Sequence, residues 1–225
     1  MSFDPNIEQA RFNMIEQQIR PWDVLDPAVL SLLGVVKRED FVPAAYRALA
    51  FVDTEIPLPT SDGMRECMLA PKVEARLLQE MSVARHETVL EVGAGSGFMA
   101  ALLAHRARQV ITLEIHPALA RLAAQNLDRA AVLNASVRQL DGAAGLPGEA
   151  PFDVIMLSGS VASVPPALLA QLKVGGRLGA VVGELPIMRA LRITRTDEHS
   201  FNSVELFDTV APRLHGFEEP TRFHF

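Results

Sequence analysis

The stretch Val89-Leu90-Glu91-Val92-Gly93-Ala94-Gly95-Ser96-Gly97 decides the fold of this 225-residue chain. It starts as a short apolar run typical of a buried strand and ends in a glycine-rich turn, and a helical pattern begins at Phe98. Glycine permits positive φ and lets the backbone approach a ligand closely. A strand, a glycine-rich turn and a helix in this order indicate an open α/β sheet that binds its ligand beyond the carboxyl ends of the strands.

On the C-terminal side of this stretch, short apolar runs alternate with helical patterns. The runs cover 88–92, 109–115, 136–140, 152–157 and 177–182, and the helical patterns cover 98–107, 117–129 and 165–172. This alternation predicts βαβ units and a parallel sheet that is covered on both faces. Two further runs, 189–194 and 204–210, have little helical sequence between them, so we expect them to pair antiparallel at one edge.

On the N-terminal side, the sequence predicts helices. Apolar residues recur at helical spacing from Ile7 to Ile19 and stop at Pro21, while Asp26-Pro27 is a helix start that opens 28–36. Prolines punctuate 41–71, where irregular structure is expected, and the helical pattern returns at 73–81. We therefore predict a helical cap (1–80) on a Rossmann-like domain (81–225), a doubly wound, mostly parallel seven-stranded sheet with helices on both faces.

Composition limits the classes of function. Hydrophobic residues make up 49% of the chain and the net charge is −6, which is globular and argues against a nucleic-acid partner, because such proteins normally present a basic face. No run of about 18 apolar residues predicts a membrane span. Residues 1–9 lack the apolar segment of a signal peptide, so we expect a cytoplasmic protein. The sequence makes no prediction of the oligomeric state.

Cysteine and histidine usage predicts neither a disulfide nor a metal site. Cys67 is the single cysteine, and none of the six histidines is spaced from another histidine or from Cys67 as metal ligands usually are. A lone cysteine is more often a small buried hydrophobe than a nucleophile. We therefore expect no metal.

Acidic residues at three successive strand ends favour one cofactor. The turn is spaced Gly-x-Gly-x-Gly, and Phe98 stands where the dinucleotide fingerprint requires its third glycine. Glu91 suits the charged amino group of a methionine moiety better than a pyrophosphate. Glu114 suits ribose hydroxyls, which alone would fit NAD equally well, and Asp141 could read an adenine amino group. The pattern thus favours S-adenosylmethionine over NAD, and over solvated acids beside a purely structural turn.

The residues predicted to bind this cofactor lie on the glycine-rich turn and on the strand ends beside it. They are Glu91, Gly93, Ala94, Gly95, Ser96, Gly97, Glu114, Ile115, Asp141, Gly142 and Ser158.

Over nearly its whole length the chain resembles the protein-L-isoaspartate O-methyltransferase family. The resemblance rests on Met14-Ile15-Glu16-Gln17-Gln18-Ile19-Arg20, on Val36-Lys37-Arg38-Glu39-Asp40-Phe41-Val42-Pro43, and on 29–30, 89–97, 141–142, 151–155 and 168–178 in order. It implies a cytosolic repair enzyme that uses S-adenosylmethionine to methylate the free carboxylate of isoaspartyl residues in damaged proteins or peptides. A carboxylate is already ionised at pH 7, so this reaction requires no general base.

One segment departs from the family. Where the family carries Gly-Gln-Thr-Ile-Ser-Gln-Pro, this chain has residues 63–71, and alignment on Pro71 places Leu69 at the serine and Cys67 at the threonine. Both hydroxyls, which the family is thought to place at the substrate, are therefore absent. The catalytic residues are not identified by sequence, and the candidates are Arg65, Cys67, Ser158 and Ser160.

Three interpretations stay open at this stage. The enzyme repairs isoaspartate with Ser158, Ser160 or Arg65 in place of the missing hydroxyls, or it methylates a different acceptor, or it is a cofactor-binding interaction protein that has lost repair activity. Losing one positioned donor at a reacting group can lower a rate by orders of magnitude. An adenine-amino methyltransferase is disfavoured, because 157–160 lacks the Asn/Asp-Pro-Pro-aromatic tetrapeptide of that class.

Overall fold

A computed structural model describes residues 5–60 and 66–219 of the chain. Six α-helices lie in this part: α1 (Pro5–Met14), α2 (Pro27–Val35), α3 (Pro71–Met81), α4 (Phe98–Arg106), α5 (Pro117–Arg129) and α6 (Pro166–Leu169). A π-helical turn (Ile15–Ile19) extends α1, and 3₁₀ turns cover Arg20–Trp22, Arg38–Asp40 and Ala44–Leu49. Among these residues no helix has the length and apolar character needed to cross a bilayer.

The strands form a two-stranded hairpin and a seven-stranded sheet. The hairpin pairs β1 (Ile56–Pro57) with β2 (Cys67–Met68). The sheet contains β3 (Thr88–Val92), β4 (Gln109–Glu114), β5 (Ala135–Gln139), β6 (Phe152–Val161), β7 (Leu172–Glu184), β8 (Ile187–Arg195) and β9 (Phe201–Thr209) in the order β5-β4-β3-β6-β7-β8-β9. The predicted seven-stranded Rossmann-like fold is confirmed.

The strand order reverses at β3. The chain first builds outward through β4 to β5, then returns to pair β6 with the other side of β3, and the strands from β3 to β7 are parallel. Strands β8 and β9 pair antiparallel, as predicted for the last two runs. The loops after β3 and β6 therefore leave a crevice between them, which is where open α/β sheets bind ligands.

Alternate residues of β3 enter two different cores. Val89 joins the core under the cap and helices α3 to α5, whereas Leu90 and Val92 face the opposite core with Leu168 of α6 and Phe217. The first core includes residues on both sides of position 80, so apolar packing is continuous from the cap into the sheet. The second face is covered by the single helical turn of α6 and by loops.

Strands β6, β8 and β9 are longer than the predicted runs or shifted from them, and the region from 165 to 184 differs most from the sequence pattern. The helix expected at 165–172 ends at Leu169, because Leu172 already pairs with Phe152 as the start of β7. Strand β7 begins earlier than the expected residue 177, because Gly175 (φ +82°) allows a bulge that shifts the register against β6. The glycines in this run interrupt its apolar pattern, so the sequence did not indicate that the strand begins before residue 177.

A buried arginine joins two parts of the predicted cap and contacts the sheet domain at one residue, Phe98. The Arg38 guanidinium pairs with the Glu74 carboxylate on α3, donates a hydrogen bond of 2.8 Å to the Leu69 carbonyl, and lies 5.1 Å from the ring centroid of Phe98 on α4. Arg38 is 1% exposed and Glu74 is 5% exposed. Burial raises the pKa of Glu74 to about 7, although the Arg38 charge opposes that rise.

We expect Arg38→Met to destabilise the protein by about 3 kcal/mol or more, because it leaves the Glu74 carboxyl buried without its partner and frees the Leu69 carbonyl. Urea unfolding at pH 7 measures the change in the free energy of unfolding.

The matched control is Arg47→Met. Arg47 pairs with Asp40 at 3.3 Å on the surface, where both side chains are largely exposed, so its loss should change stability by less than about 1 kcal/mol. Equal losses in the two variants would contradict the role given to Arg38.

Candidate functional site

The glycine-rich turn leaves β3 and starts α4. Gly93, Gly95 and Gly97 have φ of +92°, +53° and +84°, a region that L side chains rarely adopt. The amides of Gly93 and Ala94 donate to the carbonyl of Leu113 on β4 at 2.9 and 3.1 Å, which fixes the turn against the neighbouring strand. The turn thus presents bare backbone toward the crevice because its conformation requires glycine.

Glu114 ends β4 beside this turn, as the sequence predicted. Its carboxylate accepts hydrogen bonds from the Gly95 amide at 2.8 Å and from the His116 amide at 3.0 Å, and it lines the crevice together with Ile115. Each carboxylate oxygen has a second lone pair to offer. A ligand with neighbouring hydroxyls can therefore be held here.

Glu91 lies behind the crevice and reaches it through Ser158. The Glu91 side chain is fully buried, and the Ser158 hydroxyl donates to it at 2.7 Å. Burial raises the pKa of Glu91 to about 7, and the neighbouring Thr112 and Ser158 hydroxyls oppose that rise. Of this pair, Ser158 is the member that lines the crevice.

Asp141 and Gly142 follow β5 at the same edge of the sheet. Gly142 lines the crevice and packs closely on Val92. A β-carbon at position 142 would lie 2.3 Å from Val92 Cγ1. The Asp141 carboxylate caps the amide of Ala143 at 2.9 Å, and Gly216 packs against it. Asp141 is exposed and, unlike Gly142, does not line the crevice.

Of the remaining turn residues, two line a pocket and one packs against a helix. Ala94 and Ser96 line a smaller pocket next to the crevice. The Ser96 carbonyl accepts from the buried Asn126 side chain of α5 at 2.8 Å, so α5 holds the turn from behind. Gly97 packs on Ala123, whose carbonyl would lie 3.1 Å from a β-carbon at this position. The close approach of α5 to the start of α4 therefore requires a glycine at position 97.

Two connected cavities make up the site. The outer one, which we call the cleft, lies over Glu114 and the carboxyl ends of β3 and β4. The inner pocket lies between the turn and the 67–69 segment and includes Glu74 and Phe98. Cys67, Gly93, Gly95 and Ser158 line both cavities, so the cavities meet at these four residues.

One wall of the cleft comes from the C-terminal segment, which the sequence pattern did not indicate. Leu214 and His215 line the cleft, and Leu214 lies against Gly93 and Gly159. Backbone hydrogen bonds to Ser160 hold the segment: the Ser160 amide donates to Pro212 at 2.7 Å and the Leu214 amide donates to Ser160 at 2.9 Å. Only a folded chain brings this segment to the turn, so no local signal could have found it.

The candidates for the missing hydroxyls have different surroundings. The fully buried Ser160 hydroxyl donates to the Ala211 carbonyl at 2.8 Å and so holds the C-terminal wall, whereas Ser158 lines both cavities. Burial, followed by the Glu55 carboxylate, raises the pKa of the Cys67 thiol, which keeps it protonated at neutral pH. Leu69 is buried with its carbonyl bound by Arg38. Arg65 lies outside the described residues.

The residues present fit an S-adenosyl ligand better than a dinucleotide. Helix α4 begins at Phe98, a fully buried large side chain, where the dinucleotide fingerprint needs a glycine for close packing. Glu114 and Ile115 offer a carboxylate and an apolar side chain to a nucleoside. The Glu74 carboxyl lines the inner pocket and Glu91 approaches it through Ser158, an acidic setting that suits a cationic amino acid moiety.

The chain is similar to known proteins over most of its length. The family model described as "Protein-L-isoaspartate(D-aspartate) O-methyltransferase (PCMT)" matches residues 9–210. A "Protein-L-isoaspartate O-methyltransferase" of Koribacter versatilis is 38% identical over 198 residues, covering 88% of this chain and 87% of that protein. A protein of the same name from Methylorubrum populi is 38% identical, covering 87% of this chain and 90% of that protein. These matches confirm the resemblance drawn from the sequence.

The fold is also shared with a solved structure. A crystal structure described as a putative protein-L-isoaspartate O-methyltransferase from Plasmodium falciparum, in complex with S-adenosyl-L-homocysteine, superposes with a TM-score of 0.76. It is 19% identical, and the match covers 94% of this chain and 99% of that chain. At this identity the likeness establishes a common fold.

Glu91 should make stability depend on pH. Between about pH 4.3, where an unfolded glutamate titrates, and pH 7, the folded protein holds a proton that the unfolded chain has lost, so stability falls as pH rises through this window. Glu91→Gln keeps a partner for Ser158 and removes the titration. Between pH 5 and pH 8, we expect the free energy of unfolding of this variant to fall by roughly 3 kcal/mol less than that of wild type. Urea unfolding without ligand measures the difference.

Glu205→Gln serves as the control, because Glu205 is exposed on β9. It should follow the wild-type pH dependence. If Glu91→Gln followed it as well, the buried carboxyl would not be titrating in this range.

Proposed function

The chain belongs to the protein-L-isoaspartate O-methyltransferase family, and we propose that it methylates the free carboxylate of isoaspartyl residues in damaged proteins. It is an S-adenosylmethionine-dependent methyltransferase, and its acceptor is a protein or peptide. The proposal rests on one observation. The chain matches this family over residues 9–210. In its structure the ends of β3, β4 and β6 converge on a glycine-rich turn between two connected cavities.

Residues of the cleft and the inner pocket would hold the cofactor. We assign Glu114 and Ile115 to the adenosine moiety, and the turn from Gly93 to Ser96, with Glu91 acting through Ser158, to the methionine moiety. When bound, S-adenosylmethionine supplies an electrophilic methyl group on a sulfonium ion. Gly97 and Gly142 support the site by close packing on α5 and β3, and Asp141 caps the turn after β5.

The chain has to orient the acceptor and exclude water. A carboxylate is ionised at pH 7, so no residue has to remove a proton from it. Apolar side chains from three separate segments enclose the cavities: Leu58 beyond β1, Leu69 before α3, and Leu214 of the C-terminal wall. A positioned acceptor in a site with little water lowers the barrier through proximity and desolvation.

Ser158 is the candidate to replace the hydroxyls lost at Cys67 and Leu69. Its side chain lies where the cleft and the inner pocket meet, and its hydroxyl is oriented by Glu91. A serine held in this way can hydrogen-bond to an acceptor group that enters the junction. We therefore propose Ser158 as the residue that positions the acceptor, and Ser160 as structural support.

A different carboxylate acceptor is the second candidate function. The protonated Cys67 thiol and the buried Leu69 stand where the family is thought to place its hydroxyls, so the acceptor side of the junction is more apolar than in that pattern. Such a lining suits a carboxylate with an apolar neighbouring group.

Incubation with an isoaspartyl peptide and S-adenosylmethionine labelled on its methyl group tests the proposal. We expect a methyl ester that releases labelled methanol on mild base treatment, and no such product from the matched peptide with a normal aspartyl residue. Glu114→Ala should weaken cofactor affinity at least about tenfold in calorimetry, because the carboxylate at the end of β4 is lost.

The control for the cofactor measurement is Glu149→Ala, which removes a surface carboxylate paired with Arg138. Its affinity should equal that of wild type. Wild-type protein that binds the cofactor and yet forms no ester with the isoaspartyl peptide would overturn the proposed acceptor, and ester formation on another carboxylate would favour the second candidate.

Ser158→Ala should lower kcat for the isoaspartyl peptide by about tenfold to a hundredfold, since it removes the one hydroxyl that we place at the acceptor. Ser158→Thr keeps that hydroxyl and should recover part of the rate. Ser203→Ala on the exposed edge strand β9 is the control. Unchanged kcat in Ser158→Ala would exclude the positioning role.

A further inference from the structure

Three side chains from distant parts of the sequence meet at the mouth of the cleft. Glu66 precedes β2, His116 precedes α5, and His215 lies in the C-terminal wall. The His215 Nε2 is 2.7 Å from Glu66 Oε1, and the His116 Nε2 is 3.5 Å from the same oxygen. One donor atom from each residue lies within 4.8 Å of the donors of the other two.

We propose that Glu66, His116 and His215 form a binding site for a divalent transition-metal ion, with Zn²⁺ as the metal that fits best. Two imidazole nitrogens and a carboxylate oxygen are the donors that zinc accepts when a fourth position stays open to water or another ligand. Magnesium and calcium prefer oxygen donors alone, so this set discriminates against them.

The spacing of the donor atoms agrees with this chemistry. Ligands of a tetrahedral zinc ion, at bonds of about 2.0–2.1 Å, lie about 3.3 Å from one another. The two distances from Glu66 Oε1, 2.7 and 3.5 Å, lie on either side of that value. The donors of the two histidines lie within 4.8 Å of each other, so we infer that side-chain rotations bring all three donors to bonding distance.

The cluster is partly buried and brings three separate segments of the chain together. The side chains of Glu66, His116 and His215 are 18%, 13% and 35% exposed, so the cluster is shielded but can be reached from solvent. The imidazole rings meet edge to face, with centroids 5.4 Å apart. An ion held here would tie the start of β2 and the C-terminal wall to the start of α5, across the mouth of the cleft.

Metal titration of the full-length protein, stripped of metal by a chelator, tests the site without reference to methyl transfer. We expect calorimetry to show one Zn²⁺ ion per chain with a dissociation constant in the micromolar range or below, and no comparable binding of Mg²⁺. His215→Ala and Glu66→Gln should each weaken Zn²⁺ affinity at least about tenfold, because each removes one of three ligands.

His105→Ala is the matched control, because His105 is an exposed histidine on α4 outside the cluster. It should bind Zn²⁺ as wild type does. Circular dichroism melts of each variant without metal confirm folding, and Zn²⁺ should raise the melting temperature of wild type and His105→Ala more than that of His215→Ala. Zn²⁺ affinity that is absent in wild type, or equal in wild type and His215→Ala, would overturn the site.

Discussion

The buried pair of Arg38 and Glu74 is the interaction on which the rest of the site depends. Arg38 and Glu74 both lie in the predicted cap, on a 3₁₀ turn and on α3, and the same guanidinium holds the Leu69 carbonyl and lies over Phe98 of α4. An arginine can serve these partners together because its donors are arranged in a rigid fork. The 67–69 segment is therefore placed against the glycine-rich turn by a charge that could not be buried without its partner.

A second constraint works from the other side of the turn. The positive φ values of Gly93, Gly95 and Gly97 bring backbone, rather than side chains, to the surface of the cleft. Helix α5 fixes this backbone through Asn126, and β4 fixes it through the Leu113 carbonyl. The two constraints leave a narrow junction at which Ser158 and Cys67 are the available side chains. With the acceptor placed as proposed, its specificity would depend on few atoms, and a change in the 67–69 segment would affect the acceptor more than the cofactor.

Local signals in the sequence were enough to predict the parallel strands, the turn, Glu114 and the antiparallel pair at the edge. Each of these depends on residues close together in the chain, where periodicity and glycine spacing are informative. Long-range contacts were not predictable in this way. Glu66 and His215 are 149 residues apart in sequence and 2.7 Å apart in the structure, so spacing along the chain could not indicate that they meet. Ser158 and Ser160 look alike in sequence, and only burial distinguishes a lining hydroxyl from a structural one.

The C-terminal wall has a consequence for the order in which the protein is made. Domains form from the N-terminus as the chain leaves the ribosome. The turn, Glu114 and Ser158 all precede residue 160, whereas Leu214 and His215 follow the last strand of the sheet. During N- to C-terminal synthesis the crevice therefore lacks one wall until Leu214 packs against Gly93 and the segment binds Ser160. The sheet, which ends with β9 at Thr209, thus comes just before the wall in the chain, and the wall is the part of the cleft that is added after it.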